Sequence, residues 1–112
     1  MTTKSQKEWR KKWVKALRSG EYKQTSGVLR DGDEFCCLGV ACDISELSGW
    51  DEGNVYLFEQ GVLPNAVREL YGLERSDGEF VGDCLTVLND NGASFQEIAD
   101  IIESEPEGLF ND

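Results

Sequence analysis

The sequence predicts an α+β fold: a mostly helical single domain with a short antiparallel β-hairpin packed on a buried central helix. Three observations carry this. Apolar residues recur at helical spacing in several separate stretches. An Asp-Gly dipeptide, Asp31-Gly32, lies between two short runs that read as strands. The stretch from Cys37 to Leu47 is apolar nearly all round, through Cys37, Leu38, Val40, Ala41, Ile44 and Leu47, as a helix covered on every side must be. At 112 residues the chain has room for one core, so residues 1–112 form one domain. A chain of this size buries roughly two-thirds of its unfolded surface and folds without crosslinks. Its 39% apolar and 29% charged residues exclude wholesale disorder.

The first element is a basic helix over 5–19. Ser5 and Glu8 form a capping pattern, Trp9, Trp13, Ala16 and Leu17 form one apolar stripe, and the lysines and arginines take the other face. Gly20 supplies a left-handed stop. Residues 21–36 read as the hairpin, with Ser26-Gly27 a bulge or bend. The central helix spans 37–47, and residues 48–54 form a loop that carries Trp50. Val55 to Phe58 reads as a short extended segment. Three C-terminal helices follow, over 63–71 with Pro64 at its first position, over 81–89, and over 94–104. Ser94 and Glu97 form a second capping pattern, and the tail through Leu109 and Phe110 is expected to pack back on the body.

Charge is divided unevenly. Net charge is −11, yet residues 1–30 hold nine of the eleven bases and only two acids, Glu8 and Glu21. That segment can dock on the acidic remainder, within one chain or between two, or form the electropositive patch that receives an anion. An overall nucleic-acid-binding surface is excluded by phosphate repulsion. No apolar run reaches 18 residues, and the polar start lacks the apolar region of a signal peptide, so no membrane partner and a cytoplasmic location are expected.

Histidine is absent, which removes the commonest general base, the commonest zinc ligand and any Ser-His-Asp or Cys-His arrangement. Neither a phosphate-binding glycine loop nor a paired-carboxylate motif stands out. The four cysteines, Cys36, Cys37, Cys42 and Cys84, lack the doubled short spacing of a zinc site and read as small buried hydrophobes. A redox role stays open for Cys36 or Cys37 if either begins a helix. Asp31-Gly32-Asp33 reads as turn chemistry rather than a cation loop. Residues 85–102 imitate a helix-turn-helix, but Glu97, Asp100 and Glu103 on its second helix would repel DNA. No catalytic residue, metal or cofactor is therefore expected, and the chain does not read as an enzyme.

The polar run after the first helix is the candidate ligand site. Arg18, Lys23 and Arg30 suit phosphates, Tyr22 or Trp50 suits stacking on a base, and Gln24 offers an amide. The competing reading is a helix cap followed by an edge strand.

The segments Trp13–Gln24 (WVKALRSGEYKQ), Phe35–Asp43 (FCCLGVACD), Leu63-Pro64, Leu88-Asn89-Asp90 and Ser94–Asp100 (SFQEIAD) span nearly the whole chain. Together they resemble a small uncharacterised family found in tailed-phage and prophage reading frames. The resemblance implies a phage origin and supplies no catalytic residues. By analogy with small phage accessory proteins, the expected function is sequestration of a small anionic ligand, such as a nucleotide immune signal, in the cytoplasm of the infected host. A homo-oligomer held by basic-to-acidic contacts is expected with it. The alternative is an acidic protein-binding inhibitor or DNA mimic acting on a host protein.

Overall fold

Ser5 starts the first helix by accepting the Glu8 amide on its hydroxyl at 3.2 Å, satisfying one of the donors that a helix start leaves open. The computed structural model describes residues 5–111; Lys4 of the basic segment lies outside the described residues. Helix α1 (Gln6–Arg18) buries Trp13, Val14 and Leu17, and Gly20 leaves it with φ of 77°. The Trp13 indole donates to the Cys37 carbonyl at 2.9 Å, which ties α1 to the start of the central helix.

The predicted hairpin forms, and it gains a third strand. Strand β1 (Lys23–Gln24) pairs in parallel with β3 (Glu34–Phe35), while β2 (Arg30–Asp31) pairs with β3 antiparallel. The order β1-β3-β2 puts the last strand in the middle. Gly32 turns the hairpin at φ of 63°. The parallel partner was not expected. β1 and β2 are two residues each, too short to show an alternating pattern.

Helix α2 (Cys37–Ser45) is the buried centre, with Cys37, Leu38, Val40, Ala41 and Cys42 inside. Its cap is a thiol: Cys36 Sγ accepts the Gly39 amide at 3.3 Å. The helix stops at Ser45 rather than at 47. The Ser45 hydroxyl bonds back to the Cys42 carbonyl at 2.6 Å, and Glu46 turns left-handed at φ of 56°. Leu47 is consequently half-exposed and no part of the core. Gly39 lies against Leu29, whose carbonyl oxygen a Cβ at Gly39 would overlap.

Val55 to Phe58 forms no strand; isolated bridges pair Asp51 with Val55 and Tyr56 with Glu59. Helix α3 (Asn65–Tyr71) follows Pro64, which stands one position outside the helix. The expected helix over 81–89 is corrected. Residues 79–84 form a second hairpin, β4 (Glu79–Phe80) with β5 (Asp83–Cys84), and the helix α4 (Leu85–Asp90) begins only after it. Val81 shares the helical spacing of Leu85 and Leu88 in the sequence. It sits at the hairpin turn beside Gly82, whose φ of 103° no ordinary helix residue adopts. Helix α5 (Phe95–Ser104) carries the complete Ser94–Glu97 capping box. The tail packs back as expected: Leu109 is buried, and Asn111 donates to the Gly72 carbonyl at 2.8 Å. The fold is thus α+β, with α1 packed against α5, α2 and α3.

Asn89 joins the pieces. Its carbonyl oxygen accepts from the Cys37 amide at 3.2 Å and from Gln24 Nε2 at 2.9 Å, and its amide donates to the Thr25 carbonyl at 2.7 Å. Replacement by alanine strands the buried Cys37 amide and should lower stability by about 2–3 kcal/mol, measured by urea unfolding. Gly39→Ala should cost about 3 kcal/mol or prevent folding, because the added methyl meets backbone that cannot swing aside. Unchanged urea midpoints for both variants would contradict these roles.

Candidate anion-binding cleft

The six residues singled out from the sequence do not form one pocket. Arg18 reaches across to α5, with Nη2 at 2.6 Å from Asp100 and 3.1 Å from Glu103. The Glu103 hydrogen bond, followed by that of Asp100, raises its pKa further, and it is already engaged. Lys23 pairs with Asp33 at 3.3 Å on the surface. Gln24 is spent on Asn89 and on the Ala93 carbonyl, at 2.9 and 2.7 Å.

The other three do meet, around a carboxylate that sequence reasoning did not single out. Asp43 on α2 accepts from the Tyr22 hydroxyl at 2.6 Å and from the Trp50 indole at 3.1 Å. Burial and the adjacent Asp43 push the Tyr22 phenol well up, so it stays a donor. Rings run in sequence from Tyr22 to Phe35, Trp50 and Tyr56, with centroids 5.0, 5.9 and 4.9 Å apart. The Arg30 guanidinium lies 5.6 and 5.3 Å from the Phe35 and Trp50 centroids, and its Nε donates to the Gly32 carbonyl at 2.6 Å. This cluster packs the sheet and the Trp50 loop onto α2. The Tyr22 hydroxyl and the Trp50 indole N–H are both engaged by Asp43.

An open cleft lies elsewhere, between α1 and α5, with a volume of about 630 Å³. Lys7, Lys11 and Lys15 line one wall. Residues four apart share a helix face, and each step advances about 6 Å along the axis. Val14 and Ile102 supply apolar lining, and Glu103 and Glu105 stand on the other side. Two arginines also line the cleft and are held by acids. Arg18 is fixed as described. Arg10, only 4% exposed, donates to the Tyr71 carbonyl at 2.7 Å and to Glu105 at 3.0 Å, and lies over the Phe110 ring. No ion pair holds Lys7, Lys11 or Lys15 among the described residues. Two arginines of the basic segment, Arg10 and Arg18, thus dock on acids, while Lys7, Lys11 and Lys15 stand along the cleft wall. The signal for the lysines was present in their spacing of four. The position of α5 opposite them was not.

Among the described residues no group of three or more Cys, Asp or Glu could hold a metal ion. Cys36, Cys37 and Cys42 are buried, and burial raises all three thiols. Cys36 does begin a helix, but desolvation outweighs the amide bonds that would favour a thiolate, so the geometry does not make it reactive. No helix of the described residues is long and apolar enough to cross a membrane.

A family described as a domain of unknown function (DUF8296) matches residues 5–106. The chain belongs to that family. The match takes in α1, both hairpins and α5, and so every residue of the DUF8296 cleft. No curated protein and no solved structure matches the chain.

The buried thiols set an alkaline limit. They stay protonated in the fold, whereas unfolded thiols ionise above about pH 8.5. The unfolded chain then loses protons that the folded one keeps, so stability is fully present below that pH and falls as pH rises above it. Urea midpoints taken from pH 7 to 10 should fall through this window. In native protein a thiol reagent should modify Cys84 first, because Cys84 alone of the four is not buried. Rapid modification of all four would contradict the packing.

Proposed function

We propose that this chain is a non-enzymatic binding protein that sequesters a small anionic ligand in the α1/α5 cleft. The observation that carries the reading is the cleft itself: three uncommitted ammonium groups along one wall, beside apolar lining. Ligand sites combine an apolar surface with a few convergent polar groups in this way. The negative groups of the ligand meet Lys7, Lys11 and Lys15, and its ring or chain rests on Val14 and Ile102. A nucleotide has both parts. The cleft borders on Arg18 alone of the six sequence-derived residues, so Tyr22, Lys23, Gln24, Arg30 and Trp50 have no place in this site.

The resemblance to the phage and prophage family supports a role as an accessory protein in the infected host, where holding a nucleotide signal would blunt defence. The absence of histidine in the chain favours binding over turnover.

The test is native mass spectrometry with a panel of nucleotides and ADP-ribose derivatives. The expected result is a stoichiometric adduct at unchanged ligand mass, with affinity falling as salt rises. Lys11→Glu with Lys15→Glu should weaken binding at least tenfold and leave the melting temperature within a few degrees, because both residues are exposed. A ligand released at altered mass would replace sequestration with catalysis, and no adduct from the whole panel would reject the proposal.

A further inference from the structure

Tyr56, Leu57, Phe58 and Glu59 form a tight turn closed by two backbone bonds, Tyr56 N–H to Glu59 O at 2.9 Å and Glu59 N–H to Tyr56 O at 3.0 Å. Both central residues are left-handed, Leu57 at φ 47° and Phe58 at φ 74°. Turns of this kind favour Asn-Gly, because a Cβ is strained there. Leu57 at least packs against the core, but Phe58 is 92% exposed. The turn is firmly held. Tyr56 is fully buried with its hydroxyl on Ser45 and on the Ser48 amide, and Gln60 receives the Leu29 amide on its carbonyl at 2.6 Å. An aromatic ring on a fixed, strained turn facing water does nothing for the fold of one chain. Rings of this kind are the usual anchors of protein interfaces.

Charge selects the partner. Asp51, Glu52 and Glu59 stand in the loop and turn that carry Phe58, and residues 31–67 hold no lysine or arginine. An apolar surface with cations along one wall is its complement, and the same molecule carries one: the α1/α5 cleft, where Lys7, Lys11 and Lys15 face Glu103 and Glu105, the two acids already held by Arg18 and Arg10. We infer that Phe58 of one copy seats in the α1/α5 cleft of a second copy, with Asp51, Glu52 and Glu59 facing the lysines. Knob and socket are different surfaces, so the contact is head-to-tail and builds a closed ring or a chain of copies. The inference uses the shape and charge of the cleft and is independent of any ligand. If the proposed anion also binds, it competes with Phe58 and releases the copies.

Sedimentation velocity tests it. Wild type should assemble as concentration rises, and added salt should weaken the assembly. Phe58→Gly should be monomeric and melt higher than wild type, since glycine relieves the left-handed strain; a structural role would move the melting temperature the other way. The Lys11→Glu, Lys15→Glu double variant should also be monomeric. Mixed together, these two monomers should form a one-to-one heterodimer, because one retains the socket and the other the knob. A wild type that stays monomeric, a Phe58→Gly that still assembles, or a mixture that does not pair would each overturn the inference. The anion panel run on monomeric Phe58→Gly separates the two proposals, since an adduct there is independent of assembly.

Discussion

The carboxamide of Asn89 holds together parts of the chain that local structure alone would leave apart. It is buried at the start of α2, where the Cys37 amide has no partner inside its own helix. Its oxygen accepts both that amide and Gln24 Nε2, and its nitrogen donates to the Thr25 carbonyl, which fixes β1 to the end of α4 across more than sixty residues. The strands are two residues long and could not hold their register by their own hydrogen bonds. The small sheet thus depends on a polar anchor in the core, and the fold of the N-terminal half depends on a residue near the C-terminal end.

Helix α1 meets the same requirement with its two tryptophan- and arginine-based contacts. Trp13 is fastened to the Cys37 carbonyl, and Arg10 is fastened to the end of α3, to Glu105 and to the tail ring of Phe110. A buried guanidinium is stable only with its donors satisfied, and among the described residues no buried side-chain donor is left open. The result is a helix held at two points with α5 beside it. The cleft is the space left between these helices where the lysines, rather than the arginines, face outward.

The strongest periodic signals were read correctly. Helices α1 and α5 and their N-caps follow from stripes and capping residues visible in the sequence, α2 follows from its apolar run, and Asp31-Gly32 marks its hairpin. The errors have physical causes. Val81, Leu85 and Leu88 keep helical spacing by coincidence, and the positive φ at Gly82 overrules it. Leu47 extends an apolar run that Ser45 ends, its hydroxyl donating to the Cys42 carbonyl and accepting the Leu47 amide. At the site, Arg18 was correctly seen as a cation at a helix exit, yet Asp100 and Glu103 neutralise it from a helix more than eighty residues away. Tyr22 and Trp50 do converge, but on Asp43, and Arg30 joins them only through the Phe35 and Trp50 rings.

The sequence by itself determined the helical framework, the division between a basic start and an acidic remainder, and the lack of histidine chemistry. These depend on residue type and on spacing within one element, which local sterics and burial translate directly into structure. Only the tertiary structure decided which cations are free, which aromatic ring faces water, and where a cleft opens. Each of those depends on which distant acid or apolar side chain arrives opposite, and that is set by the packing of α5, the tail and the Phe58 turn against the rest of the chain.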